Sequence, residues 1–390
     1  MSLHFHELRV KAVVPDGDEA VIVGFDVPDA LRETFAFEPG QYLTLRAPVG
    51  GADLRRSYSI CAGADDGELR VGVRLLPDGA FSRWIHDELR AGDALQVFPP
   101  QGHFCTRFDA AARRHVLGIA AGSGITPILA IMKTLLAREP ASRFTLIYGN
   151  RRLASTMFRE EIEDLKNRYL TRLALHHVFS REPQDAPIGE GRLTREKLAA
   201  FFAPVTPDEA ADASASEAAL PRPAGVESAG RTDAAGPLID PCGITDAFVC
   251  GPYEMNDEAE AALLTAGVAP ERIHIERFGA PPLGSAPAHP VLAGDAPLAR
   301  VGVIRDGQRR EIEFTAADPS LLDAAARAGL DVPYSCKSGV CATCRARLLE
   351  GEVRMDRNFA LEKREVEAGF ILTCQAHPLT ERVVVSYDDR

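Results

Sequence analysis

From residue 5 to about residue 104, apolar and polar positions alternate in short runs, the two-residue period of strands with one buried face. Runs at 8–14, 20–27, 41–47, 57–61 and 69–75 predict strands, and Pro39-Gly40, Gly50-Gly51 and Asp66-Gly67 predict turns between them. Helical spacing occurs once, at 81–89. Short strands at hairpin spacing predict an antiparallel β-barrel.

From His115 onward the period changes. Apolar strands at 116–120, 144–148, 173–178 and 247–249 alternate with helical patterns at 127–137, 158–168 and 253–266, which predicts a doubly wound α/β sheet with parallel strands. An Ala/Pro/Ser/Glu-rich stretch, 204–237, interrupts the alternation and is expected to be a flexible insertion. A Pro/Ala/Gly-rich linker at 281–297 precedes a predicted hairpin (301–304, Asp306-Gly307, 312–314). A helix follows it, with Asp318 expected as N-cap, Pro319 at its first position and Gly329 past its end. The expected division is 1–108 for the barrel, 112–280 for the parallel sheet and 298–390 for a third, smaller domain. No internal repeat is evident.

A net charge of −12 leaves no basic patch for phosphate backbones, so nucleic acid is not an expected partner. The apolar run at 116–132 is broken by Gly122-Ser123-Gly124 and Thr126-Pro127, so it reads as strand, turn and helix rather than a membrane span. Residues 1–9 carry His, Glu and Arg without an apolar segment, and a cytoplasmic location is expected. In a reducing compartment the eight cysteines suit metal or redox chemistry better than disulfides.

Four of them stand out. Cys336, Cys341 and Cys344 form C-x4-C-x2-C, and Cys374 follows about thirty residues on. This is the spacing of plant-type [2Fe–2S] ligands. The small residues Ser335, Ser338, Gly339, Ala342 and Thr343 let the backbone wrap a cluster. A structural zinc site is the alternative, although zinc knuckles usually pair two C-x2-C units.

In the barrel, Arg56-Ser57-Tyr58-Ser59 sits on a predicted strand. Alternation puts Arg56 and Tyr58 on one face, where a guanidinium can clamp a phosphate and a ring can cover a flavin, and sets Ser59 across the pleat. Gly79 and Ser82 open the 81–89 helix, a place for phosphate or a plain helix cap. After the first parallel strand, Gly122, Gly124, Thr126 and Pro127 form a glycine turn entering a helix, suited to a pyrophosphate. The third glycine of G-x-G-x-x-G is absent. Cys250-Gly251-Pro252 ends the last parallel strand; Cys250 either faces a nicotinamide or is a buried structural thiol.

These motifs together resemble the ferredoxin–NADP reductase superfamily, here followed by a plant-type ferredoxin domain. The resemblance covers nearly the whole chain and includes 99–104, 144–151, 274–278 and 339–344. It implies a β-grasp-like α+β third domain, FAD held by Arg56, Ser57, Tyr58 and Ser59 with Gly79 and Ser82 at its phosphates, and Phe278 near the flavin ring. Gly122, Gly124, Thr126, Pro127, Gly251 and Pro252 would hold the nicotinamide coenzyme, and Ser59, Cys250 and Glu276 would surround the hydride path. It further implies a reductase feeding a di-iron oxygenase. The alternatives are a reductase for another ring-hydroxylating or demethylating oxygenase, or a relay protein that never meets free nicotinamide. Where an NAD-binding enzyme would place an acid on the ribose, this chain has Arg151, Arg152, Ser155, Thr156 and Arg159. That favours NADPH, with NADH and an ordinary basic loop as the alternatives. The histidines, His86, His103, His176, His177, His274 and His377 among them, show no ligand spacing with carboxylates.

Overall fold

The computed structural model describes residues 4–203, 237–281, 289 and 292–389; the expected insertion at 204–237 therefore lies outside the described residues except for Pro237. Six antiparallel strands form the first sheet: β1 (His6–Asp16), β2 (Ala20–Asp26), β3 (Tyr42–Val49), β4 (Ala52–Ser59), β5 (Leu69–Arg74) and β6 (Ala94–Gln101), in the order β4-β3-β6-β1-β2-β5. Their inward positions, among them Leu8, Val23, Leu43, Leu45, Val71 and Val97, make a closed apolar core under helix α1 (Ala80–Asp87). The predicted strand at 57–61 is the end of a longer one. Gly50 and Gly51 both have positive φ and turn β3 back into β4.

The second layer is wholly parallel. Strands β7 (His115–Ala121), β8 (Arg143–Asn150), β9 (Leu173–Phe179), β10 (Asp246–Gly251) and β11 (Ile273–Arg277) run in the order β11-β10-β7-β8-β9. Helices α2 (Ile125–Arg138), α3 (Arg159–Arg168), α4 (Arg195–Phe202) and α5 (Tyr253–Thr265) cover its faces. Strand order reverses between β7 and β10, and a crevice at such a switch point is where ligands bind in open α/β sheets.

The third domain is a mixed sheet of β12 (Leu298–Arg305), β13 (Gln308–Thr315), β14 (Arg345–Glu350), β16 (Phe370–Leu372) and β18 (Arg382–Ser386), ordered β13-β12-β18-β14-β16. A two-stranded ribbon of β15 (Val353–Met355) and β17 (Ala376–Pro378) lies beside it, with helices α6 (Leu321–Arg327) and α7 (Lys363–Glu367). One expectation fails here: the N-cap of α6 is Ser320, whose hydroxyl accepts from the Asp323 N–H. Asp318 instead accepts from Thr315 and from Arg327, an ion pair that holds its carboxyl below the usual range.

The barrel and the parallel sheet pack through specific contacts. Gly72 on β5 leaves room for the Phe158 ring and for Thr126, either of which would lie 2.8 Å from a Cβ there. The Phe158 N–H, in a left-handed backbone with φ 55°, donates to the Asp16 carboxylate at 2.9 Å. Among the described residues no helix is long and apolar enough to cross a membrane.

Candidate functional site

The two glycine turns of the parallel sheet meet at the switch point. Gly122 has φ 55°, and its carbonyl accepts a 3.0 Å hydrogen bond from Tyr148 Oη. Gly124 packs so closely on the end of β10 that a Cβ would lie 2.0 Å from the carbonyl oxygen of Cys250. Only glycine permits that approach. At the start of α2, Thr126 Oγ1 donates to the Ser123 carbonyl at 2.9 Å, Pro127 lies inside the first turn, and the Arg74 guanidinium lies against Gly122. Gly251 and Pro252 close the other side, Pro252 as N-cap of α5.

Across this crevice stand three groups from three elements. Ser59 at the end of β4 is buried and donates to Glu276 Oε2 at 3.2 Å. Glu276 on β11 pairs in register with Cys250 on β10. Burial, only partly offset by the Ser59 hydroxyl, pushes the Glu276 carboxyl up to about 8, so at neutral pH it is mostly the protonated acid. Cys250 is fully enclosed, and burial above all raises its thiol well above the ordinary range. It stays a neutral thiol. The structure therefore brings together Ser59, Cys250 and Glu276, which are separated by up to 217 residues in the chain.

On the other face of β4, Arg56 is exposed and Tyr58 stacks on Phe81 of α1, with ring centroids 6.2 Å apart and an interplanar angle of 30°. Arg56 and Tyr58 share one face of β4, and Tyr58 reaches α1 through Phe81; a guanidinium and a ring so placed are groups that could hold a flavin dinucleotide. Ser82 contributes less than expected: its hydroxyl donates to the Gly79 carbonyl at 3.0 Å and accepts from Leu76 N–H at 3.2 Å. A Cβ at Gly79 would fall 2.4 Å from that hydroxyl and 2.8 Å from Leu76 Cβ, so a side chain there would have to displace its neighbours. Phe278, just past β11, is 44% exposed.

Of the candidates for a coenzyme phosphate, Arg151 remains free of the local turn, whereas Ser155 and Thr156 are buried and bond back to Arg152. Arg159 opens α3 and pairs with Glu163 at 3.8 Å. Arg181, not singled out from sequence, joins Arg151: its N–H donates to the Arg151 carbonyl at 2.9 Å. After Arg74, these two arginines help to hold the Glu19 carboxyl below its usual range.

In the third domain the four cysteines converge. Cys344 and Cys374 are buried, Cys336 and Cys341 half-buried. Lys337, Gly339 and Ala342 all adopt positive φ, which coils the 336–344 loop around the sulfurs. Sulfur acceptors are already served: Ser338 N–H reaches Cys336 Sγ at 3.4 Å and Gln375 Nε2 reaches Cys374 Sγ at 3.5 Å. A hydrogen bond from the Cys341 thiol, with the Ser338 and Val340 N–H groups, outweighs burial and pulls the Cys336 thiol well below its ordinary range. Cys374 and burial push Cys344 the other way. Four thiols this close cannot all ionise without a positive centre, which is the donor set of an iron–sulfur cluster.

A polar cluster that the sequence spacing concealed lies nearby. His289 Nδ1 and His377 Nε2 both bond Asp356 Oδ2, at 2.8 and 2.9 Å, while Arg354 takes the other oxygen and Asp295. The carboxylate is satisfied from three sides, and the linker is thereby tied to the domain.

Three family models match the chain: an oxidoreductase FAD-binding domain at residues 10–106, an oxidoreductase NAD-binding domain at 119–215, and a 2Fe-2S iron-sulfur cluster binding domain at 303–379. The chain is 43% identical to a subunit of 1,2-phenylacetyl-CoA epoxidase from Escherichia coli (strain K12), covering 98% of each chain. It is 32% identical to the ferredoxin reductase component of 3-ketosteroid-9-alpha-monooxygenase from Rhodococcus rhodochrous, over 97% of this chain and 96% of the other. In fold it matches phthalate dioxygenase reductase with a TM-score of 0.53 at 21% identity, over 98% of each chain.

Proposed function

The chain belongs to the family of oxygenase reductases that join an FAD-binding domain, an NAD-binding domain and a 2Fe-2S domain, and on that premise we propose that it draws electrons from NADPH and delivers them to a di-iron oxygenase that epoxidises the ring of phenylacetyl-CoA. The observation that carries the oxygenase assignment is the 43% identity, from end to end, to the Escherichia coli epoxidase protein. The other named relative serves a steroid monooxygenase and stands at 32%.

Bound FAD accepts two electrons as hydride and releases them singly, and a [2Fe–2S] cluster carries one at a time. The chain's own residues do the rest. Arg56 pairs with a flavin phosphate, Tyr58 covers a ring face, and Ser57 and Ser59 lie along the same strand. Gly122, Gly124, Thr126 and Pro127 hold the coenzyme pyrophosphate, closed from the β10 side by Gly251 and Pro252, with Phe278 at the flavin. Arg151 and Arg181, exposed neighbours joined by a backbone hydrogen bond, meet the 2′-phosphate that distinguishes NADPH; Arg159, engaged with Glu163, takes the lesser part. Ser59 orients Glu276, whose protonated carboxyl offers a hydrogen bond without a charge. Cys250 supplies a neutral, compact wall that excludes water from the hydride path. Cys336, Cys341, Cys344 and Cys374 ligate the two irons.

The test is NADPH-driven oxygen consumption with phenylacetyl-CoA and the oxygenase component of the epoxidase. Expected is consumption that requires all components and yields oxidised thioester. Full turnover with a steroid oxygenase and none with phenylacetyl-CoA would reassign the acceptor.

A further inference from the structure

The hairpin of β3 and β4 has two faces, and register decides what each carries. Directly opposed residues share a face, so Leu43 with Tyr58 and Leu45 with Arg56 lie on one side, and Tyr42 with Ser59, Thr44 with Ser57 and Arg46 with Arg55 on the other. The first side is the barrel core and the flavin cradle. The second is an entirely polar row. A polar row on a strand normally faces water; this one is covered, for Thr44 is fully buried and Arg55 only 4% exposed.

What covers it is the cluster loop. Tyr42 Oη donates to the carbonyl of Cys341 and lies 3.1 Å from Thr343 Oγ1. Thr44 Oγ1 is 3.4 Å from the same threonine hydroxyl and 3.1 Å from Ser57 Oγ, which in turn donates to Ser335 Oγ at 2.9 Å. Ser335 and Thr343 each precede a cluster cysteine in the chain. At the end of the row Arg55 forms a clamp: it bonds Asp331 Oδ1 at 2.6 Å and the Val332 carbonyl at 3.3 Å, and its guanidinium lies 4.1 Å over the Tyr334 ring. Arg46 adds a longer contact to Asp331 at 3.6 Å. Burial alone would raise Asp331; the Arg55 hydrogen bond and charge overcome it and hold the carboxyl below its usual range.

We propose that the outer face of the β3–β4 hairpin is a built docking surface for the chain's own cluster domain, with Arg55 as the positioning residue that holds the cysteine loop against the hairpin whose opposite face carries Arg56 and Tyr58. The arginine doublet then divides its work, Arg56 toward the flavin and Arg55 toward the cluster, as the two-residue period requires. One nicotinamide supplies two electrons as hydride. A [2Fe–2S] cluster held by the cysteine loop would accept them one at a time, and the outer face of the hairpin would keep that loop in place for both transfers. This inference rests on the electron order proposed above, and it adds that transfer inside the molecule depends on a fixed contact rather than a swinging domain.

The test uses anaerobic rapid mixing of NADPH with holoprotein, following flavin bleaching and cluster reduction as separate phases, in wild type, Arg55→Leu, Asp331→Asn and Arg55→Lys. Expected is flavin bleaching at the wild-type rate in all four. Cluster reduction slows by about tenfold or more in Arg55→Leu and Asp331→Asn, in keeping with loss of one buried charge-assisted contact, and recovers partly in Arg55→Lys. Iron and labile sulfide content and the shape of the reduced-cluster EPR signal stay as in wild type. The charge-swapped pair Arg55→Asp with Asp331→Arg regains part of the lost rate, which holds the inference open to test if Arg55→Leu folds poorly. Cluster reduction at the wild-type rate in Arg55→Leu overturns the inference and leaves the proposed function standing; absence of flavin bleaching in wild type overturns the proposed function itself.

Discussion

Gly124→Ala isolates the close approach of the 122–127 loop to the end of β10, on which the proposed nicotinamide crevice depends. The added Cβ would stand 2.0 Å from the Cys250 carbonyl oxygen, 2.4 Å from its carbon and 2.9 Å from the Gly251 nitrogen. Real Cβ atoms essentially never come within 3.0 Å of such neighbours, and all three are backbone on a central strand, so the ends of β7 and β10 must part by about 1 Å. Overpacking of that kind costs about 1–3 kcal/mol. For domains of this size the corresponding drop in Tm is about 2–12 °C. The functional effect should be larger, because the displaced loops are those proposed to hold the coenzyme backbone on one side and Cys250 on the other, and a misplacement of about 1 Å costs on the order of 100-fold in rate. The assay is rapid-mixing flavin reduction by NADPH, with melting curves and FAD content measured alongside. Gly189→Ala is the control, since its Cβ would meet nothing nearer than 3.5 Å at a permissive φ. Expected is a fall of about 100-fold in the kcat/KM for NADPH in Gly124→Ala with FAD retained, and wild-type behaviour in the control. If Gly124→Ala melts and reacts like wild type, the close approach is not what shapes this crevice, and the reasoning fails.

Cys341→Ser should leave NADPH-driven flavin bleaching intact and abolish reduction of an iron-containing acceptor; equal loss of both in stopped-flow traces would contradict the assignment of separate tasks. Replacing Arg151 and Arg181 together by Ala should weaken NADPH by about 10- to 100-fold, the worth of charge-assisted phosphate contacts, with little change for NADH; parallel losses in the two KM values would rule out 2′-phosphate recognition. Glu276 has a folded pKa near 8, above its usual 4.5, so the folded state holds the extra proton and stability declines as pH rises from about 4.5 through about 8. Thermal melts of Glu276→Gln across that window should show a shallower decline than wild type, and identical slopes would mean that the carboxyl ionises normally.

Much was legible along the chain because it depends on neighbours in sequence. Three cluster cysteines lie between positions 336 and 344, so their chemistry shows in spacing alone. The change from a two-residue to a 3.6-residue period near His115 separates barrel from parallel sheet, because each element must bury one face or stripe. Local capping was less readable: Asp318 and Ser320 are both good N-cap residues, and the choice of Ser320 was made by Arg327, which draws Asp318 into an ion pair. Ser155 and Thr156 looked available to a phosphate, yet their hydroxyls satisfy the buried turn they stand in.

The pattern of side chains thus determined which elements form, which residues share a face, and where sulfur, glycine and arginine are concentrated. It could not say what each face meets. That Ser59 bonds Glu276, that His289 and His377 share Asp356, and that the outer row of the β3–β4 hairpin receives Asp331, Ser335, Cys341 and Thr343 are all contacts between distant segments. Alternation is a property of one strand, whereas the partner across a face is chosen by the packing of whole domains. Only the tertiary structure sets the flavin cradle and the cluster loop on opposite sides of a single hairpin.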